Sequence, residues 1–316
     1  MSRHRAYIIL FSALLALAGC EYKPLSYEDI EAPSQGSVRV QFLWGACPDA
    51  RPQGVLMHAF SAASAPVAVP FADINGGTVS MKVGDYQLLA YNDGTELSAG
   101  GSDCQSFEVS ALMRDLSLAS PMFGGTRSVP RAHGTESEVA VLEPDSLQSG
   151  GLVVLSVSPW EEAVATFSMR EATKTWRFVI NGVQNREHVV EFTATLSGMS
   201  GSWLPALSEC GDNRCIVPFA MTPTGEASIA GQVRAFGHCP HELHSHMLVV
   251  YYELVTGQKY YTVFDVTAEM HKPEHWDGGD LPIVIDWLPV PEPVYSSGGF
   301  EPDVTEWQRV DIEMDL

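Results

Sequence analysis

The chain has 316 residues, 45% of them hydrophobic and 18% charged, with a formal net charge of −21. That acidity excludes nucleic acid as a partner and makes anionic lipid headgroups repel the chain. The length exceeds one small core and suits two domains.

The first twenty residues read as an export signal. Arg3 and Arg5 make a basic head, Ala6 to Ala18 is mostly apolar, and Leu17-Ala18-Gly19-Cys20 closes the segment. Charge, then an apolar run, then small residues is the order of a secretory signal. The apolar run is shorter than the about 20 residues that a spanning helix needs. Leu-Ala-Gly-Cys resembles the lipobox of bacterial lipoproteins, in which small residues precede the cut and the Cys20 sulfur takes a diacylglycerol. Cleavage before Cys20 leaves 297 residues, with 16 Lys and Arg against 39 Asp and Glu and a formal charge of −23. Attachment then rests on the lipid, in which each buried methylene adds about 0.8 kcal/mol. Residues 21–36 carry Pro24, Pro33, Ser34 and Gly36 among acidic residues and read as a flexible tether. No later run approaches about 18 apolar residues, so the remainder reads as soluble.

From Val38 the pattern is that of strands. Val38, Val40, Phe42 and Trp44 alternate with Arg39 and Gln41, the period of a half-buried strand. Val55 to Phe60, Val79 to Val83, Tyr86 to Tyr91 and Phe107 to Val109 follow, separated by Asn75-Gly76-Gly77, Gly84-Asp85 and Asn92-Asp93-Gly94. Ser110 to Gly150 is interrupted by proline and glycine and reads as a long connection, with short helices at Ser110–Leu116 or Pro144–Leu147. Leu152 to Val157 closes the first half. The second half continues with Trp176 to Ile180, Val190 to Leu196, Ile216 to Ala220 and Ile229 to Phe236. Met247 to Val255 alternates too little for an exposed sheet and is placed centrally. Thr256-Gly257 turns it into Lys259 to Val266, the strongest hairpin signal in the chain. Ile283 to Trp287 follows, then Pro289, Pro291 and Pro293. Val310 to Leu316 alternates apolar and acidic residues and reads as a last strand that needs a groove, preferably its own. Short strands with Gly, Pro and Asn between them predict an all-β chain of two tandem β-sandwiches, at 37–158 and 159–316.

Two clusters carry possible chemistry. Cys210-Gly-Asp-Asn-Arg-Cys215 encloses a turn-forming tetrapeptide, and an exported compartment permits a Cys210–Cys215 disulfide. Without Cys20 the cysteine count is odd, so one thiol stays free or pairs outside the chain. His238, Cys239, His244 and His246 are ligand types for zinc or copper. Their spacing fits no regular zinc pattern and Pro240 interrupts it, so the competing reading is a polar turn entering a buried strand. A nucleophilic Cys239 lacks an accompanying oxyanion-forming arrangement. Trp160, Trp203 and Trp276 are loop tryptophans that stack on sugars or plug the sandwich ends. No catalytic residue and no cofactor is assigned.

Several stretches carry a family resemblance: Val83-Gly84-Asp85-Tyr86, Leu196 to Gly201, Ala235 to Pro240, Leu248 to Tyr251, and Gly298 to Phe300 through Val304 to Trp307. In that order, behind a lipobox, they resemble the fimbrillin-like (Mfa-like) lipoproteins of Bacteroidales. The likeness is greatest to a branch known as a domain of unknown function. The resemblance implies two transthyretin-like sandwiches and a non-catalytic, lipid-anchored outer-membrane protein. Its role would be that of a fimbria-related accessory, anchor or adhesive subunit. A glycan-binding surface lipoprotein is the alternative. In assembling relatives a protease removes the first strand and a neighbour's strand fills the groove, so other fimbrial subunits are implied partners by β-strand addition. Here the matching cleavage residue is Arg51, and Pro52 after it makes a poor site for a trypsin-like protease.

Overall fold

The computed structural model describes residues 33–124, 126, 128–240, 245–295 and 306–311. Cys20 and His244 lie outside the described residues. β1 (Gln35–Leu43) alternates as its sequence dictates, with Val38, Val40 and Phe42 buried. β2 (Val55–Ser61) and β3 (Ser64–Phe71) form a hairpin, followed by β4 (Gly76–Lys82) and β5 (Gly84–Asn92). The short β6 (Ser98–Gly100), β7 (Glu108–Ser110) and β8 (Val139–Ala140) leave this module. β9 (Gln148–Val157), β10 (Ala163–Ser168) and β11 (Arg170–Glu171) return to it.

One sheet runs β10-β1-β4 and the other β11-β9-β5-β2-β3. Their facing sides enclose a core that includes Val38, Phe42, Met57, Leu88 and Phe167. Phe42 meets Phe71 edge-on at 5.3 Å and stacks with Phe167 at 5.6 Å. β1 pairs antiparallel with β4 and parallel with β10, so both its edges are occupied. The boundary expected at 158/159 falls before β10 and β11, which pair with strands of the first half. β3 is not legible in the sequence. It is a largely exposed edge strand carrying Pro66 and Pro70, a position where a missing N–H costs no ladder bond.

The second module holds β12 (Lys174–Ile180), β13 (Val189–Ser200), β14 (Ser202–Leu204), β15 (Glu209–Cys210), β16 (Arg214–Pro223) and β17 (Ile229–Ala235). The hairpin follows as β18 (Met247–Leu254) and β19 (Lys259–Asp265), paired as the sequence predicts. A one-turn helix α1 (Thr267–Met270), β20 (Ile283–Ile285) and β21 (Trp307–Arg309) complete it. The main sheet runs β20-β12-β17-β16-β13-β18-β19-β21, with β8 alongside β16. β16 pairs with β13 from Arg214 to Met221 and with β17 from Met221 to Pro223. It thus hands the sheet from one layer to the other. Trp176, Phe178 and Val233 from one arm meet Leu196, Val250 and Tyr252 from the other in one core. The chain is therefore all-β, two tandem sandwiches, as the sequence predicts.

β18 lacks alternation because both its faces are buried. Leu248, Val250 and Tyr252 enter the sandwich core, while Val249 and Tyr251 face a second cluster with Leu116, Met122 and Phe123. That second cluster is the expected connection, 110–150. Its helical turns are 3-10 turns at Leu116–Leu118 and Pro121–Phe123 rather than the α-helical stretches expected on either side. The Tyr251 hydroxyl donates to Pro130 O at 2.7 Å, and the buried Lys259 ammonium donates to the carbonyls of Met122 and Gly124. Phe60, Leu89 and Tyr91 of the first module join the second module's core, so the two sandwiches share apolar contact. The last strand among the described residues lies at 307–309, just before the strand expected at 310–316. Val310 N donates to Tyr261 O at 2.9 Å, and residues 312–316 lie outside the described residues.

Candidate functional site: a histidine-lined cleft

The site is built around a break in β13. Pairing with β16 shifts register between Leu196 and Met199. Gly198 sits there with φ +79, a conformation that side chains other than glycine rarely adopt. A Cβ at this position would fall 2.7 Å from both His246 Nδ1 and Ser245 O, so glycine also lets the following segment approach. Met199 bridges His238, and Cys239 N donates to Gly198 O at 3.3 Å. The residues before β18 close from the other side. His246 N donates to Thr267 Oγ1 at 2.8 Å, and Met247 N donates to Ser197 Oγ at 2.9 Å. α1 then ends at His271.

Three imidazoles converge as a result. His238 Nδ1 and His246 Nε2 are 2.8 Å apart. The outer nitrogen of each ring faces a backbone carbonyl: His238 Nε2 lies 2.9 Å from Trp276 O, and His246 Nδ1 lies 3.0 Å from Ser197 O. One ligand-type nitrogen from each of His238, His246 and His271 falls within 4.8 Å of the others. Trp276 stacks on His238 with ring centroids 4.3 Å apart. His246 is 1% exposed. Burial holds the His246 imidazole down to about 3 and that of His238 down to about 4, against an ordinary 6.5. Both rings are neutral at pH 7 and present lone pairs. They line a cleft of about 630 Å³ together with Lys174, Cys210, Cys239 and Trp276.

The sequence cluster is thus assembled in part. His238 and His246 meet, and His271 joins them from 25 residues further on. Nothing in the sequence near His271 signals this, because its approach depends on how α1 follows β19. Cys239 lines the cleft, but its thiol donates to Asp212 O at 3.4 Å.

The disulfide expected between Cys210 and Cys215 is not formed: both carry free thiols, as do Cys47, Cys104 and Cys239. Cys210 lies on β15 opposite Trp203, and Cys215 lies on β16 opposite Met199. Hydrogen bonds hold the intervening turn in place of sulfur. Ser200 Oγ donates to Gly211 O at 2.7 Å, and Gly201 N donates to Asn213 O at 2.9 Å. Burial pushes the Cys210 thiol up to about 11 and the Cys215 thiol higher still.

The tryptophans divide. Trp203 packs against the core, Trp276 covers the histidines, and Trp160 stands 66% exposed between β9 and β10.

Residues 19–220 match the family described as a domain of unknown function, DUF5119. The chain belongs to that family. Comparison with curated proteins gives no match. Among solved structures, this DUF5119 chain is similar to a candidate adhesin from Bacteroides ovatus. The two are 17% identical with a TM-score of 0.57, over 86% of this chain and 99% of that one. It is also similar to the fimbrial anchor protein Mfa2 from Porphyromonas gingivalis, at 14% identity and a TM-score of 0.49, over 79% and 90% of the chains. A candidate polysaccharide-binding protein from Bacteroides thetaiotaomicron follows at 13% identity and 0.48, over 79% and 86%. The expected likeness to a branch known as a domain of unknown function is thus borne out by the family match.

Proposed function

We infer that this DUF5119 chain is a non-catalytic, lipid-anchored protein of the outer membrane. It serves as a fimbria-related accessory, anchor or adhesive subunit. The observation that carries the reading is the two-sandwich fold, shared with the candidate adhesin over 86% of this chain and nearly all of the other. The Leu-Ala-Gly-Cys ending supports the anchor, because β1 begins at Gln35, a short stretch of sequence after Cys20. β1 is bonded along both edges, and sheet hydrogen bonds lie across the strand. A pull from the membrane therefore loads many of them at once rather than one after another. The occupied edges, together with Pro52 after Arg51, support an anchor or accessory place over that of a polymerising subunit.

The exposed Trp160 supports the second reading, a glycan-binding surface lipoprotein, since sugar rings stack on such a face. One experiment covers both. Cells expressing the full chain, its Cys20→Ala variant or its Trp160→Ala variant are fractionated and assayed for fimbriation and for binding to a glycan array. The anchor reading expects membrane retention to be lost in Cys20→Ala and fimbriation to change with it. Retention of that variant in the membrane overturns the anchor. Glycan binding that disappears in Trp160→Ala, with fimbriation unaltered, replaces the fimbrial reading with the second.

A further inference from the structure

We propose that His238, His246 and His271 form a binding site for a divalent transition-metal ion, zinc or copper(II).

The case rests on the geometry of three rings whose ligand-type nitrogens all lie within 4.8 Å of one another. A backbone carbonyl only accepts, so the bonds to Trp276 O and Ser197 O place a proton on the outer nitrogen of each ring. The inner nitrogens, His238 Nδ1 and His246 Nε2, then both present lone pairs, 2.8 Å apart. Two acceptors at that distance repel unless a cation lies between or beside them. A metal ion takes lone pairs from both rings and from His271.

The surroundings match a metal centre. Histidines that bind metals donate their other N–H to a carbonyl or carboxylate, which fixes tautomer and ring orientation. Both inner histidines already do so. Zinc–nitrogen bonds of about 2.0–2.1 Å in a tetrahedron separate two ligand nitrogens by about 3.3 Å. The observed pair needs to open by roughly half an ångström, and His271, half-buried at the end of α1, already packs edge-on against both rings at 5.1 and 5.5 Å between centroids. The side of the cluster facing the cleft is left for a fourth ligand, water or an exogenous donor, the arrangement of open three-ligand zinc sites. An all-imidazole set suits zinc and copper over magnesium or calcium, which prefer oxygen. The net charge of −21 raises the local concentration of cations around the molecule.

The test uses the full chain, purified without a histidine tag and stripped with EDTA. Zinc sulfate, and separately copper(II) sulfate, is titrated by calorimetry, and retained metal is counted by mass spectrometry after dialysis. The site expects one equivalent per chain and at least a tenfold loss of affinity in His271→Ala, a half-exposed change that the fold tolerates. His133→Ala, at an exposed histidine elsewhere, keeps wild-type affinity. Cobalt(II) in the wild type gives the visible bands of tetrahedral coordination, and His271→Ala weakens them. Folded wild-type protein that retains neither zinc nor copper overturns the proposal. So does a His271→Ala variant that binds as the wild type does, or a His133→Ala variant that loses as much.

Discussion

The substitution Arg214→Met tests how the histidine cleft is braced. Glu138 is almost fully buried beside β8. Its Oε2 accepts the Gly198 N–H at 2.9 Å, and Arg214 Nε lies 3.0 Å from its Oε1, close enough to pair charges but off the hydrogen-bond line. The same guanidinium donates to Ser245 O at 2.8 Å, next to His246. Burial already holds the Glu138 carboxyl above its ordinary 4.5, the Gly198 and Arg214 contacts pulling the other way. Methionine keeps the stem and strands the carboxylate. Because Glu138 can take a proton instead, the cost of stranding is capped by the free energy of protonating it. With 4.5 as the unfolded value, that cap is about 3.4 kcal/mol at pH 7 and about 1.4 kcal/mol at pH 5.5. The lost bond to Ser245 adds about 1 kcal/mol at either pH.

The sign follows from linkage. An acid whose folded pKa is raised holds more protons folded than unfolded between the two values, so stability falls as pH rises through that window. Arg214→Met widens the window, and acid restores part of what it loses. At about 2 °C per kcal/mol for a chain of this size, the melting temperature drops by up to about 9 °C at pH 7 and about 5 °C at pH 5.5. The double variant Arg214→Met with Glu138→Gln strands no charge, so it recovers most of the difference and shows no such pH dependence. Thermal melts of the four proteins at both pH values complete the cycle. An equal drop for Arg214→Met at the two pH values, or a double variant less stable than the single, refutes the reasoning.

Two further predictions concern the same region. Tyr251→Phe removes the bond to Pro130 O and lowers stability by about 1 kcal/mol, and trypsin then cuts at Arg131 sooner than in the wild type. Native alkylation labels Cys210 first and faster at pH 9 than at pH 7, while Cys47, Cys104 and Cys215 react only in denaturant. A peptide linking Cys210 to Cys215 in unreduced protein would reinstate the bridge that their spacing suggests.

Strands whose side chains alternate were legible where one face meets a core, as in β1 and β4, and the β18–β19 hairpin was legible from its Thr256-Gly257 turn. Pairing partners were not. Nothing in Ala163–Ser168 marks it as the parallel neighbour of β1, because parallel pairing leaves no turn between the partners. The 110–150 segment read as loose because its proline and glycine hide the apolar residues Leu116, Met122 and Phe123, which pack one at a time rather than in a period. At the cleft, the density of histidine and cysteine drew attention to 238–246. The third imidazole was out of reach, since His271 is placed by tertiary approach and not by spacing.

The interleaving of the two halves has a consequence for how the protein comes to be folded. β1 emerges first, yet its parallel neighbour β10 lies more than a hundred residues later, and β8 waits for β16 beyond Arg214. β7 likewise waits for β14. Contacts of such sequence separation form slowly, because loop closure precedes any gain from pairing. The first module is complete only once β10 and β11, ending at Glu171, have been made. Phe71, Met57 and Leu88 can cover Phe42 early, but its stack on Phe167 and the parallel edge of β1 stay open until residue 168 has arrived.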